Sequence, residues 1–342
     1  MFELNNLTLE LQWQGELEEY ITALSWSKDG KLAVSSAGGE VLVFTDKPQL
    51  VLNPNEKKDS INCLDFSADG QFLAVGGQNG QLKIWQLPEL KLINTLDGNL
   101  QWLENLAWHP HENCIAFSEG RYVKIWDVVS QEILITLPFE NSSVLDLAWN
   151  PKIGLLAIAG NGGVKIWDST NWEDDPFYIE MDAAALKIAW SEDGEYLAMT
   201  SLDKIVLVWG GGNLVPWRLS GFRGKIRNLC WSKISSQEVP VLATSSMGDI
   251  IIWEKMKINN SWDASVLTSN DCNINDLQFH PQKLLLASGN KKGQLFLWSK
   301  AENLTQNSTL LSGGLSCLKW DFLGQKLALG SDRGEIIILS NK

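Results

Sequence analysis

The sequence predicts an all-β fold, an eight-bladed β-propeller of four-stranded antiparallel blades closed by an N-terminal outer strand. Three observations predict it: an aromatic recurring about every 41 residues, a second aromatic series in step with it, and an Ala at a fixed position between them. The first series is Trp26, Phe66, Trp108, Trp149, Trp190, Trp231, Phe279 and Trp320. The second is Phe44, Trp85, Trp126, Trp167, Trp209, Trp253, Trp298 and Leu339. The Ala set is Ala33, Ala74, Ala116, Ala157, Ala198, Ala243, Ala287 and Ala328. Twelve of the 17 Trp lie on the two series, so the Trp excess is mostly architecture. Self-similarity at this period is the mark of a repeat array.

Each unit reads alike. A first strand such as Ile61–Phe66 is apolar five and two residues before its aromatic and ends in a polar turn, Ser67-Ala-Asp-Gly70. A second strand carries the Ala, which lets a neighbouring sheet approach while the Trp fills the space between sheets. A Gly- or Asn-bearing turn such as Gln78-Asn79-Gly80 leads into a third strand, Leu82–Trp85. Period-2 apolar runs joined by short Gly-containing turns are hairpin signals. A looser segment, Leu90–Leu96, completes a four-stranded meander. Nothing after Leu339 supplies an eighth outer strand, whereas Leu7–Trp13 can. Joining both chain ends in one blade removes an unpaired edge. A seven-bladed ring with an added hairpin is the alternative. No sustained helical period is visible, and the two or three domains that 342 residues would suggest become a single one spanning 1–342.

These units resemble the WD-repeat family from about residue 7 to residue 340. The closest local matches are Val123-Lys-Ile-Trp126-Asp127 and Val164-Lys-Ile-Trp167-Asp168. The departures are substantial. Trp-Asp survives only in those two units, with Trp253-Glu254 a near variant, and the family's Gly-His before the first strand is missing throughout. Its turn Asp survives as Asp203, with Asn79 and Asn161 as weaker stand-ins. The family's His/Ser/Asp/Trp network therefore cannot form in full, and packing is expected to hold most blades. The resemblance implies a non-enzymatic scaffold for other proteins.

Composition narrows the function classes. Net charge is −13, which opposes a broad nucleic-acid-binding surface or a membrane-surface role, since counterion release needs clustered cations. No signal peptide or apolar run of spanning length is visible, and five unpaired-looking Cys fit a reducing compartment. A cytoplasmic location is expected, as is a monomeric state for the protein by itself.

Calling the end that carries the second turns and blade links the top, the candidate partner site lies there. Its apolar members are Trp102, Tyr20, Leu145 and Leu186, with Leu202 and Met247 beside them. Its basic members are Arg223, Lys225, Arg227, Lys291 and Lys292, flanked by Lys204 and Arg333. Glu16, Glu18, Glu19, Asp59, Glu104 and Glu119 supply the opposite sign on the other side. An aromatic anchor beside a charged rim is the composition of an interaction hot spot, and the basic arc suits an acidic partner segment. Trp102 plugging the channel mouth is the structural alternative. Three residues before the first aromatics stand Asn105, Asp146, Lys187, Asn228 and Asp276, read as channel lining. An alternative function, a ligand- or metal-binding propeller enzyme, would draw on Asp146, Lys187 and Asp276. No catalytic residue, metal site or cofactor is assigned. His109-Pro-His111 with Cys114 has metal-like spacing but lacks a fourth ligand and occupies an ordinary first turn.

Overall fold

The computed structural model describes residues 9–44, 48–52, 59–97, 102–140, 142–210, 212–233, 239–256, 258, 260–268 and 272–341; for 48–52 only the backbone is described. It forms eight four-stranded antiparallel sheets, arranged as an eight-bladed β-propeller. The innermost strands are Ile21–Trp26, Ile61–Phe66, Leu106–Trp108, Asp146–Trp149, Ala185–Trp190, Ile226–Trp231, Ile274–Phe279 and Leu315–Trp320, beginning blades 1 to 8. Strand Leu9–Glu16 pairs antiparallel with Glu335–Asn341 and completes blade 8. The two chain ends thus close the ring in one sheet, as the sequence predicts. Leu7 and Thr8, placed in that strand by sequence, lie outside the described residues. The register slips between Leu11 and Trp13, a bulge that lets Trp13 reach Phe44 at 5.0 Å in blade 1.

The core sits between blades. All eight second-strand alanines have no solvent exposure. The apolar residues five before each first aromatic are also buried: Ile21, Ile61, Leu103, Val144, Ala185, Ile226, Ile274 and Leu315. Each core cluster draws on two or more neighbouring blades, as where Trp149 packs with Ile125 and Leu137. Packing therefore carries each joint, and its close fit explains the small Ala.

A second tie was not visible in sequence. Five first-series indoles donate to the backbone carbonyl of the preceding blade: Trp26 to Lys319 at 3.0 Å, Trp108 to Asp65 at 3.0 Å, Trp149 to Ala107 at 3.2 Å, Trp190 to Ala148 at 3.2 Å and Trp231 to Ala189 at 2.9 Å. Each acceptor is one residue before its own blade's aromatic, so among the described residues these bonds span five of the eight blade joints. The third-strand tryptophans behave differently. Trp253 donates to Thr244 and Trp298 to Ser288, within their blades. The indole nitrogens of Trp126, Trp167 and Trp209 are buried with no partner among the described residues.

Candidate functional site

The first strands alternate, and this alternation builds the top entrance. With the residue five before each aromatic locked in the core, the residues six and four before it stand at the blade links. Six before, the sequence places Tyr20, Trp102 and Lys225; four before, Glu104, Leu145, Leu186 and Arg227 follow one another on blades 3 to 6. Leu103 fixes this geometry at blade 3: its N–H donates to Gly77 at 3.0 Å and its side chain is buried against Gly76. Trp102 is held at 57% exposure beside it. It has no ring contact among the described residues, so it stands on the surface. Tyr20 is also exposed, and burial, then Cys317, Asp332 and Asp276, push its phenol up.

Leu145 and Leu186 are half-buried on neighbouring blades, and Leu202 and Met247 are exposed on the second turns of blades 5 and 6. Arg223, Lys225, Arg227, Lys291 and Lys292 are all exposed on blades 6 and 7. Arg223 makes a loose pair with Asp249 at 3.7 Å, which solvent screening leaves weak. The other four have no ion pair among the described residues. On blades 8 and 1 Glu16, Glu18 and Glu19 are exposed, and Glu104 is exposed on blade 3 beside Trp102. Glu119 does not join them: it is buried and paired with Lys124 at 2.5 Å, so its charge is neutralised locally. Glu180, Asp182 and Asp203 line a cleft of about 260 Å³ with Arg218 between blades 4 and 5.

The channel positions do more than line a wet tube. Asn105 donates to the carbonyl of Leu145 at 3.3 Å, and Asn228 to that of Asn275 at 3.0 Å. Asp146 accepts from Ile188 N–H at 2.9 Å, and Asp276 from Leu318 N–H at 2.8 Å. Each clasps the next blade's inner strand. Lys187 lies 4.0 Å from Asp146. Burial pushes both carboxyls up, Asp276 to about 6, against the pull of these N–H groups and of Lys187. Below this belt the channel widens into a cavity of about 790 Å³ bordered by Lys187, Asp276 and Lys319, with Asp146 outside its lining. Asp146, Lys187 and Asp276 thus do not all converge on one pocket.

His109, Glu112 and Cys114 do approach one another, with candidate ligand atoms within 4.8 Å. His109 Nδ1, however, accepts from the N–H groups of His111 and Glu112 at 3.3 and 3.0 Å. Burial pushes the Cys114 thiol up to about 12. His280 makes the corresponding bond to Gln282 at 3.0 Å in blade 7. The geometry organises a turn, and among the described residues the group stops at three donors.

The family match decides the affiliation. The WD domain, G-beta repeat family matches residues 47–86, 90–127, 131–168, 183–210 and 263–299, more than half of the chain. The protein belongs to the WD40 family. Sqt1 from Chaetomium thermophilum has a similar fold, with TM-score 0.83 at 16% identity over 98% of this chain and 100% of that one. Gem-associated protein 5 from Homo sapiens is 30% identical over 96 residues, 24% of this chain and 6% of the relative. The Intraflagellar transport protein 122 homolog from Mus musculus is 20% identical over 297 residues, 85% of this chain and 21% of its own length. The chain therefore spans a small part of these curated relatives. WD40 propellers are typically protein-interaction scaffolds.

Proposed function

We propose that this WD40 propeller is a non-enzymatic scaffold that docks an acidic segment of a partner protein on its top face. The observation that carries this is contiguity. Trp102, Leu145 and Leu186 occupy consecutive blades 3, 4 and 5, and Arg223, Lys225, Arg227, Lys291 and Lys292 continue the same arc on blades 6 and 7. An exposed Trp flanked by half-buried Leu is an anchor of the kind that dominates binding energy. The adjoining cations steer an acidic chain and set its direction. The glutamates of blades 1 and 8 repel the same segment from the other side, which fixes orientation.

The test compares affinity capture from the source cell by the wild type and by Trp102→Ala combined with Arg227→Glu and Lys291→Glu. All three side chains are exposed, so the thermal midpoint should hold while the specifically captured chains fall at least about tenfold. An unchanged set of captured proteins refutes this placement. The enzymatic alternative receives no support from its proposed residues. The Asp146 and Asp276 carboxylates are engaged by backbone N–H groups of their own and the next blade.

A further inference from the structure

We propose that the lower half of the channel binds a small anion carrying two oxyanion groups, held between Lys187 and Lys319. The cavity there, about 790 Å³, lies within the size range of small-molecule sites. Small side chains keep it open, with Ala23 and Ser25 on blade 1 and Ala189 on blade 5. Its mouth is at the bottom, among Glu192, Lys233 and Phe322, which follow the first strands. A partner seated on the top face leaves that mouth clear.

The hydrogen-bonding balance of the lining gives the sign of the ligand. Most of the acceptor capacity is already engaged. Asp276 takes the N–H groups of Leu277 and Leu318 on its two oxygens, each at 2.8 Å, and one Asp65 oxygen takes both the Ser25 hydroxyl at 2.6 Å and Phe66 N–H at 3.0 Å. One Asp321 oxygen takes Gln325 and Lys326 N–H, and Glu192 pairs with Lys233 at 3.2 Å. The Gln278 side-chain oxygen accepts from Trp320 N–H at 2.7 Å. The donors are free by comparison. Lys319 and the Gln278 amide NH₂ group make no hydrogen bond or ion pair to any described residue. Lys187 has only the 4.0 Å approach to Asp146 and keeps its side chain 54% exposed. Burial holds the thiols of Cys230 and Cys317 protonated.

A lining whose acceptors are mostly engaged and whose ammonium donors are not favours an acceptor-rich guest. A cation seated on Asp276 would have to displace a backbone N–H from either oxygen, whereas an oxyanion displaces only water from two ammonium groups. Lys187 and Lys319 stand three blades apart in an eight-blade ring, so they address the two ends of one guest rather than a single group. Phosphate esters and dicarboxylates share this chemistry.

Isothermal titration of the full chain at constant ionic strength, with inorganic pyrophosphate and separately with glutarate, tests the site. Saturable binding of at least one is expected, weakened about tenfold by Lys187→Gln or Lys319→Gln and unchanged by Arg227→Gln on the top face. Pyrophosphate alone identifies a phosphate-bearing ligand, glutarate alone a dicarboxylate. No saturable heat from either up to about 10 mM, or binding undiminished in the double lysine variant, overturns the proposal. Because the docking residues are untouched in the lysine variants, failure here leaves the top-face reading standing, and the reverse also holds.

Discussion

Two tryptophans in the same register separate packing from hydrogen bonding in this ring. Trp231 and Trp320 both end an innermost strand and are both buried, but their indoles differ. Trp231 donates to the Ala189 carbonyl at 2.9 Å, while the Trp320 nitrogen is buried with no partner among the described residues. Blades 2 and 7 carry Phe66 and Phe279 at this register, so the site accepts a phenyl ring. Trp231→Phe and Trp320→Phe remove similar apolar volume, and that loss largely cancels between them. The first change also breaks an inter-blade hydrogen bond, costing about 1 kcal/mol. The second removes a desolvated, unpartnered donor, which returns about 1 kcal/mol. Trp231→Phe should therefore be the less stable variant by about 2 kcal/mol, roughly a thirtyfold difference in the unfolding equilibrium. Urea unfolding of both proteins, followed by Trp fluorescence and by circular dichroism, measures the difference. Equal destabilisation, or a larger loss in Trp320→Phe, would refute the argument that the indole bonds tie blade to blade.

Two further outcomes follow from ring closure and from the channel. Removing residues 1–16 strips the outer strand from blade 8, with the buried Leu9 and the Trp13–Phe44 contact, and leaves the Ile336–Leu339 edge unpaired. Losing these two side chains alone costs about 4 kcal/mol, so the truncated chain should unfold at clearly lower urea and self-associate; an unchanged midpoint contradicts closure at this blade. Asp276 titrates at about 6 in the fold against roughly 4 when unfolded, because burial raises it despite the two N–H bonds and the nearby Lys187 and Lys319. Between those values the unfolded chain has released a proton that the folded one retains, so its contribution to stability is complete below pH ~4 and is lost as pH rises through ~6. The stability of wild type relative to Asp276→Asn should fall across that window and be level outside it. Cys230, Cys317 and Tyr20 also face this group but titrate at higher pH. A difference that does not vary with pH counts against the shift.

Much of the architecture was legible because a propeller repeats its own constraints. The Ala in every second strand and the aromatic closing every first strand appear eight times, and one register accounts for all of them. Trp102 could be singled out because it breaks that register. The inter-blade bonds were not legible, since Trp26 and Lys319 are nearly a chain length apart and their contact exists only once the ring closes. Glu119 shows the opposite error: by sequence it belongs to the top-face acids, but the fold turns it inward to Lys124.

The sequence by itself determined the number of blades, the strand that closes the ring and the family resemblance, since alternation and period are local properties of the chain. The tertiary structure alone decided what the polar channel residues do. Asp146 and Asp276 read as channel lining in sequence, yet each is engaged by a backbone N–H of the neighbouring blade, while Lys187 and Lys319 face a shared cavity. The physical reason is that a hydrogen-bond partner across a blade joint is set by ring closure, about 41 residues away along the chain, and no local pattern encodes it.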